Sequence, residues 1–215
     1  MAQLSFGGSP LGADNRRNTF PDAPVIELPA VDVPALLAED EHNEASGRKG
    51  PYRFGFEHHT GISTASVGIW SVMHDGSRVW RVTILCPQAF GIGVIFSGYT
   101  VPEGAYVFLY NDHGKVLGGY TAKSNPGHHV LGVQPIPGER VTIEYRVPAS
   151  AESLGDLTIG TVVHVYRGAP GLDREFGDSG PCNVNTICPE GDDWRPEIRS
   201  WRASSRVVAI APVRC

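Results

Sequence analysis

The sequence has no long hydrophobic run, little cysteine or methionine, and no excess of basic residues. No apolar stretch approaches the roughly 20 residues that a membrane-spanning helix needs, so the sequence predicts no membrane span. The 18 Lys and Arg residues are outnumbered by 23 Asp and Glu residues, which gives a formal charge of -5. Proteins that bind nucleic acid carry a basic patch against the phosphates, so we expect no nucleic-acid partner.

The four cysteines are unevenly spread. Cys86 stands alone, while Cys182, Cys188 and Cys215 lie in the last part of the chain. Five residues separate Cys182 from Cys188, which is longer than the short knuckle of a zinc ribbon. Cys86 follows the apolar run VTIL, and we interpret it as a small buried hydrophobic residue. The cysteines therefore predict no metal site.

Two pairs of adjacent histidines, His58-His59 and His128-His129, raise the question of metal binding. Neighbouring residues in an extended chain point to opposite faces, so neither pair can easily chelate one ion through both rings. We interpret both pairs as turn or edge residues, and we predict neither a metal site nor a cofactor.

Glycine and proline are abundant, with 26 and 17 residues, which favours short strands joined by tight turns over long helices. The string RVTIEYRV alternates as a half-buried strand does. We expect its apolar face to be buried, and this face consists of Val141, Ile143, Tyr145 and Val147. The opposite face is expected to be exposed to solvent, and it consists of Thr142, Glu144 and Arg146.

Similar strings continue from residue 53 to residue 167 and are separated by the turn strings HDGS, VPEG, NDHG, NPG and IPGE. Short strands at this spacing predict an all-β fold, an antiparallel β-sandwich of jelly-roll-like type. The large aromatics of this region are expected to pack in its core, and they are Trp70, Trp80, Phe96 and Phe108.

The rest of the chain divides into an extended leader and linker over residues 1–52, a processing linker over 168–178 and a poorly structured stub over 179–215. The leader string LPAVDVPALLAEDE predicts a short helix with Val33, Leu36 and Leu37 on one side. Its acidic run is interpreted as a solvated face rather than a binding site.

The string FGDSGPCN contains Gly-Asp-Ser-Gly, the sequence around the nucleophile of trypsin-like proteases. A serine nucleophile needs a general base, an orienting acid and donors for the oxyanion. None of the eight histidines lies in a Thr-Ala-Ala-His-Cys type segment, and Pro181 replaces the second glycine of the usual motif. We therefore assign no catalytic role to Ser179 and no catalytic residue to the chain.

A different resemblance accounts for the string. Residues 179–200, SGPCNVNTICPEGDDWRPEIRS, resemble the first residues of the mature enzyme in secreted bacterial lysyl endopeptidases, a trypsin-like family. The match runs without a gap through Asp192. The preceding blocks RFGF, GSRVWRVTI, VPEGAYVFLYN and VVHVYRG resemble the propeptides of the same precursors. The resemblance covers nearly the whole chain up to Ser200.

The resemblance implies that the chain is the prodomain part of a secreted serine endopeptidase precursor, which assists folding of the enzyme and inhibits it. Its partner is the cognate protease domain, which carries the catalytic triad, and the chain as given is expected to be inactive. Cys182 and Cys188 are expected to pair with cysteines farther along a full-length enzyme. Arg174 is the candidate processing residue, because it is the one basic residue between Gly168 and Ser179.

Further expectations concern location and the chain ends. The protein is expected to be secreted or periplasmic and monomeric. AQLSFGGSP resembles the residues that follow a signal-peptidase site, so the signal peptide is interpreted as missing or removed. Residues 201–215 are interpreted as the product of a frameshift. In the resembled family an apolar strand such as Val-Ala-Arg-Ile-Val is expected at this point. If codons for Val-Ala-Arg-Ile-Val-Thr lose their first base, the shifted frame can encode Trp-Arg-Ala-Ser-Ser-Arg, which is the sequence that begins at Trp201.

Two other functions stay open at this level. One is a free-standing secreted β-sandwich module that binds carbohydrate or a cell surface, with one of the aromatics stacking on sugar. The other is an active serine hydrolase that uses Ser179 as its nucleophile.

Overall fold

Two β-sheets and one helix make up the fold in the computed structural model, which describes residues 4–13, 20–47 and 53–168. The helix α1 spans Val33–Ala45. The strands are β1 Val25–Glu27, β2 Gly55–Ser63, β3 Ile69–Val72, β4 Arg78–Leu85, β5 Gly91–Thr100, β6 Tyr106–Tyr110, β7 Val116–Tyr120, β8 Leu131–Pro137, β9 Arg140–Val147 and β10 Asp156–Val165.

The strands form a six-stranded sheet and a four-stranded sheet. The first sheet has the order β1-β4-β9-β6-β7, with β3 also paired to β4, and the second has the order β2-β10-β5-β8. Every pairing is antiparallel except that of β1 with β4, where Val25 lies opposite Thr83 in a parallel register. The all-β fold predicted from the sequence is confirmed.

The hydrophobic core lies between the two sheets. The four residues of β9 predicted to point inward, Val141 to Val147 in steps of two, are all fully buried. Trp80 and Phe96 belong to the same core, and Trp70 packs against it half-buried. Phe108 is also buried, but it lies outside this cluster, and Gly8 of the leader lies against its ring. Buried rings such as Trp80, Phe96 and Phe108 cannot stack on a sugar.

The turns use the residues that the sequence singled out. At the NDHG turn between β6 and β7, Asn111 accepts hydrogen bonds from the backbone N–H groups of His113 and Lys115. The glycine that follows has a φ of +80°, which residues with a Cβ rarely adopt. The glycines of all five predicted turn strings share a positive φ, and they are Gly76, Gly104, Gly114, Gly127 and Gly138.

The leader contributes to the first sheet. Asp32 caps α1 by accepting a hydrogen bond from the Ala35 N–H at 3.1 Å, and Pro34 lies in the first turn, where it disturbs no helical hydrogen bond. Strand β1 precedes this helix and lengthens the sheet beyond β4. Residues Val25–Glu27 of the leader thus form a strand of the same sheet as β4.

Candidate functional site

The residues that the sequence proposed for processing and disulfide pairing, Arg174, Cys182 and Cys188, lie outside the described residues, as does Ser179. Cys86 is described, and it is a free, fully buried cysteine as predicted. Burial raises the pKa of its thiol to about 12, so the reactive thiolate form is disfavoured. Buried polar and titratable side chains of the described residues are concentrated at three other places.

The first place is the outer face of the six-stranded sheet, which the leader crosses. Near one edge, the Phe6 N–H donates to the Gly119 carbonyl at 3.0 Å, and the Ser124 hydroxyl donates to the Leu4 carbonyl at 2.7 Å. At the other edge, the Thr83 N–H donates to the Pro24 carbonyl at 2.9 Å. The described leader residues 4–13 and 20–24 therefore contact the sheet at points from β7 to β4, before β1 begins.

Glu144 holds the leader at the middle of this path. The backbone N–H groups of Leu11 and Gly12 donate to its two carboxylate oxygens, Oε1 at 2.7 Å and Oε2 at 2.8 Å. The side chain is fully buried, and burial raises the pKa of its carboxyl group, although these two hydrogen bonds and the charges of Arg146 and Arg81 oppose the shift. Such a buried carboxylate is stabilised only while its partners stay in place.

Arg81 and Tyr110 complete the contact. The guanidinium of Arg81 lies over the ring of Phe20, 4.5 Å from its centroid, and donates to the Pro21 carbonyl. Burial raises the pKa of Tyr110 to about 12, and the charge of Glu144 adds to this shift. One carboxylate and one cation thus hold the leader on the sheet, next to the phenol of Tyr110.

This arrangement corrects the prediction that β9 is half-buried. Glu144 and Thr142 were expected to face solvent, but both are buried. Leu11 and Gly12 of the leader bond to Glu144, and Thr142 shares a hydrogen bond of 2.9 Å with Thr83. The alternation of β9 was predicted correctly, but alternation assigns residues to faces and does not reveal what covers each face.

A cleft of about 870 Å³ opens beside this contact, between the leader and the sheet. Its walls carry charges of both signs, including Arg81, Arg140, Asp22 and Asp112. The mixture gives the cleft no strong preference for an anionic or a cationic ligand.

The second place is the corner where α1 meets the ends of β2 and β10. Asp40 of the helix is buried, and its carboxylate accepts hydrogen bonds from Arg53 Nε at 2.7 Å and from the Tyr166 hydroxyl at 2.6 Å. Arg167 Nε lies 3.7 Å from the same carboxylate, and Arg53 also pairs with Glu39 at 2.8 Å.

The partners outweigh the cost of burying this charge. Burial alone would raise the pKa of Asp40, but the hydrogen bonds from Tyr166 and Arg53 and the charge of Arg167 lower it below its ordinary value. The prediction that the acidic run is a solvated face is therefore wrong at Asp40, although Glu39 is exposed as expected. No periodic signal marked Asp40, because its partners lie in distant parts of the sequence.

The third place is a pair of histidines in the four-stranded sheet. His58 of β2 and His164 of β10 are buried, with ring centroids 6.2 Å apart. His58 was interpreted as a turn or edge residue, and its strand β2 is indeed an edge of its sheet. Its side chain, however, is buried. Sequence reasoning passed over His164, although a single histidine inside the apolar string TVVHVY signals burial.

No group of three or more metal-ligating side chains occurs within residues 4–13, 20–47 and 53–168. The helix α1 is too short and too polar to cross a membrane, and the described part of the chain has no other helix. No family model matches the sequence.

Proposed function

We propose that this chain is the prodomain part of a secreted trypsin-like serine endopeptidase precursor of the lysyl endopeptidase type. In this role the β-sandwich assists folding of the protease domain and inhibits it until cleavage. The observation that carries the proposal is the ungapped resemblance of residues 179–192 to the start of the mature enzyme.

The described fold is compatible with this role. A prodomain that templates another domain has to hold its own shape, and the two sheets here enclose a continuous core of fully buried side chains. Strand β10 ends at Val165, shortly before the segment that we interpret as the processing linker. A folded scaffold next to the proposed cleavage segment supports the proposal.

The proposal is tested by supplying the chain in trans to a denatured lysyl endopeptidase-type protease domain. We expect a higher yield of refolded activity on a lysyl peptide substrate, and inhibition when the chain is added to the folded enzyme. An Arg174→Gln variant distinguishes inhibition from simple substrate competition, because it removes the candidate cleavage site. The proposal fails if the chain changes neither the yield nor the activity.

A second measurement addresses Ser179. A fluorophosphonate probe labels activated serine nucleophiles, and we expect no labelling of the 215-residue chain. Labelling that disappears in Ser179→Ala would show that the chain is itself a serine hydrolase and would overturn the proposal.

A further inference from the structure

Several ring nitrogens of the two buried histidines find no hydrogen-bond partner among the residues that the structure describes. They are Nε2 of His58 and both Nδ1 and Nε2 of His164. His164 is completely inaccessible, and His58 is 9% exposed. Buried polar groups in folded proteins are nearly always paired, so an unpaired group of this kind has a cost that calls for an explanation.

The surroundings of the pair are apolar. In the strand register, Phe56 of β2 and Ile92 of β5 lie on either side of His164, and Val162 lies opposite His58. The ring of Phe56 stands edge-on to His58, with centroids 5.1 Å apart. Neutral imidazole rings fit such a site, whereas imidazolium cations lose their hydration there without compensation.

Few charged or titratable groups act on the pair. Burial lowers the pKa of His164, the proximity of His58 lowers it further, and Glu139 in the turn between β8 and β9 opposes the shift. Burial lowers the pKa of His58. The hydroxyl of Tyr166, the second residue after His164, donates a hydrogen bond to Asp40. The resulting environment favours two neutral rings.

We propose that His58 and His164 form an acid-sensitive latch that holds the edge strand β2 on β10 while both rings are neutral and releases it when they become protonated. Protonation places two like charges about 6 Å apart in an apolar site, where their repulsion is weakly screened. Strand β2 opens first because, among the described strands, only β10 is paired with it. This inference does not depend on the proposed protease partner.

The direction of the pH dependence follows from the lowered pKa values. Below the ordinary histidine pKa of about 6.5, the two histidines bind protons in the unfolded or opened chain but stay neutral in the closed form. The closed form is therefore favoured at neutral pH and loses stability as the pH falls below that value. The lowered pKa of Asp40 places its own loss of stability at a lower pH than this.

Hydrogen exchange of the full 215-residue chain tests the latch at about pH 7.5 and about pH 5, after correction for the intrinsic exchange rates. We expect amides of β2 and of its partner residues in β10 to lose protection at the lower pH, while β4 and β9 keep theirs. The double variant His58→Phe, His164→Leu should lose less protection, because its side chains do not titrate. His59→Asn is the matched control, since this exposed neighbour belongs to the same strand.

A titration of the wild-type imidazoles by NMR keeps the proposal testable even if the double variant does not fold. Two rings should protonate well below the ordinary histidine value, in the same pH range in which β2 opens. Retention of β2 protection at about pH 5, or an equal loss in the wild type and the folded double variant, would overturn the latch.

Discussion

The hydroxyl of Tyr166 donates a hydrogen bond of 2.6 Å to Asp40, a residue 126 positions earlier in the chain. This contact joins the helix α1 to the residue that follows β10. Arg53, which precedes β2, bonds to the same carboxylate, so one buried acid connects three separate segments. The position of the helix on the sandwich is therefore set by a polar contact more than by an apolar face.

Replacement of Asp40 by Asn should destabilise the domain by about 1 to 3 kcal/mol, because Arg53 and Arg167 lose their buried counter-charge. Urea unfolding measures the change as a lower midpoint with an unchanged slope. Glu44→Gln is the matched control, since Glu44 pairs with Arg167 from an exposed position and should cost less than about 1 kcal/mol. Equal effects of the two variants would contradict a special role for Asp40.

Acid should remove the stabilising contribution of Asp40 in a pH range below that in which the histidines titrate. Its pKa is lowered in the folded state, so its contribution is complete above the ordinary aspartate value and disappears as the pH falls through the folded value. Urea midpoints measured from about pH 5 down to about pH 2 should therefore fall more steeply in the wild type than in Asp40→Asn. Parallel curves would show that other carboxyl groups dominate this range.

Gly12→Ala should detach the leader from the sheet. A Cβ at this position would lie 2.9 Å from Arg81 Nη1 and 3.0 Å from Glu144 Oε2, and closer still to the Tyr110 hydroxyl. Limited proteolysis with chymotrypsin should then cleave after Phe6 or Leu11 faster than in the wild type. Gly61→Ala is the control, because a Cβ there meets no atom within 4 Å. Unchanged cleavage in Gly12→Ala would contradict the contact.

Glu144→Gln keeps the shape of the side chain but replaces one accepting oxygen with a donating amide group. One of the two leader N–H groups then loses its acceptor, and the buried Arg81 loses a nearby negative charge. We expect the free energy of unfolding to fall by about 1 to 2 kcal/mol. The loss is this small because the neutral amide no longer carries the cost of burying a carboxylate charge. Urea unfolding measures this change, and Glu57→Gln is the control because Glu57 is exposed. A Glu144→Gln variant that is more stable than the wild type would show that the cost of burying the carboxylate dominates.

If the proposed precursor function is right, a precursor that carries the protease domain should be processed between Gly168 and Ser179. Arg174 is the one basic residue in this interval, so a protease with basic specificity is expected to cut there. N-terminal sequencing of the released enzyme identifies the cleavage site, and Arg174→Gln should abolish that terminus. A new terminus upstream of Tyr166 would cut into the described sandwich and would contradict this prediction.

Local patterns in the sequence were enough to predict the fold class and much of the local structure. Alternation in RVTIEYRV identified the inner face of β9, and the glycine of each predicted turn has a positive φ. These features depend on neighbouring residues, whose spacing fixes side-chain direction and backbone conformation. The burial of Trp80 and Cys86 followed from the same local reasoning.

The burial of particular polar residues, in contrast, depends on long-range contacts in the folded chain. Glu144 lies beneath Leu11 and Gly12, Asp40 lies against Tyr166, and His58 faces His164. Each of these contacts joins positions more than 100 residues apart, and no local period records such distances. The reason is physical: a charged or titratable side chain tolerates burial only where the fold brings a compensating group or an apolar enclosure to it, and that depends on how the whole chain packs.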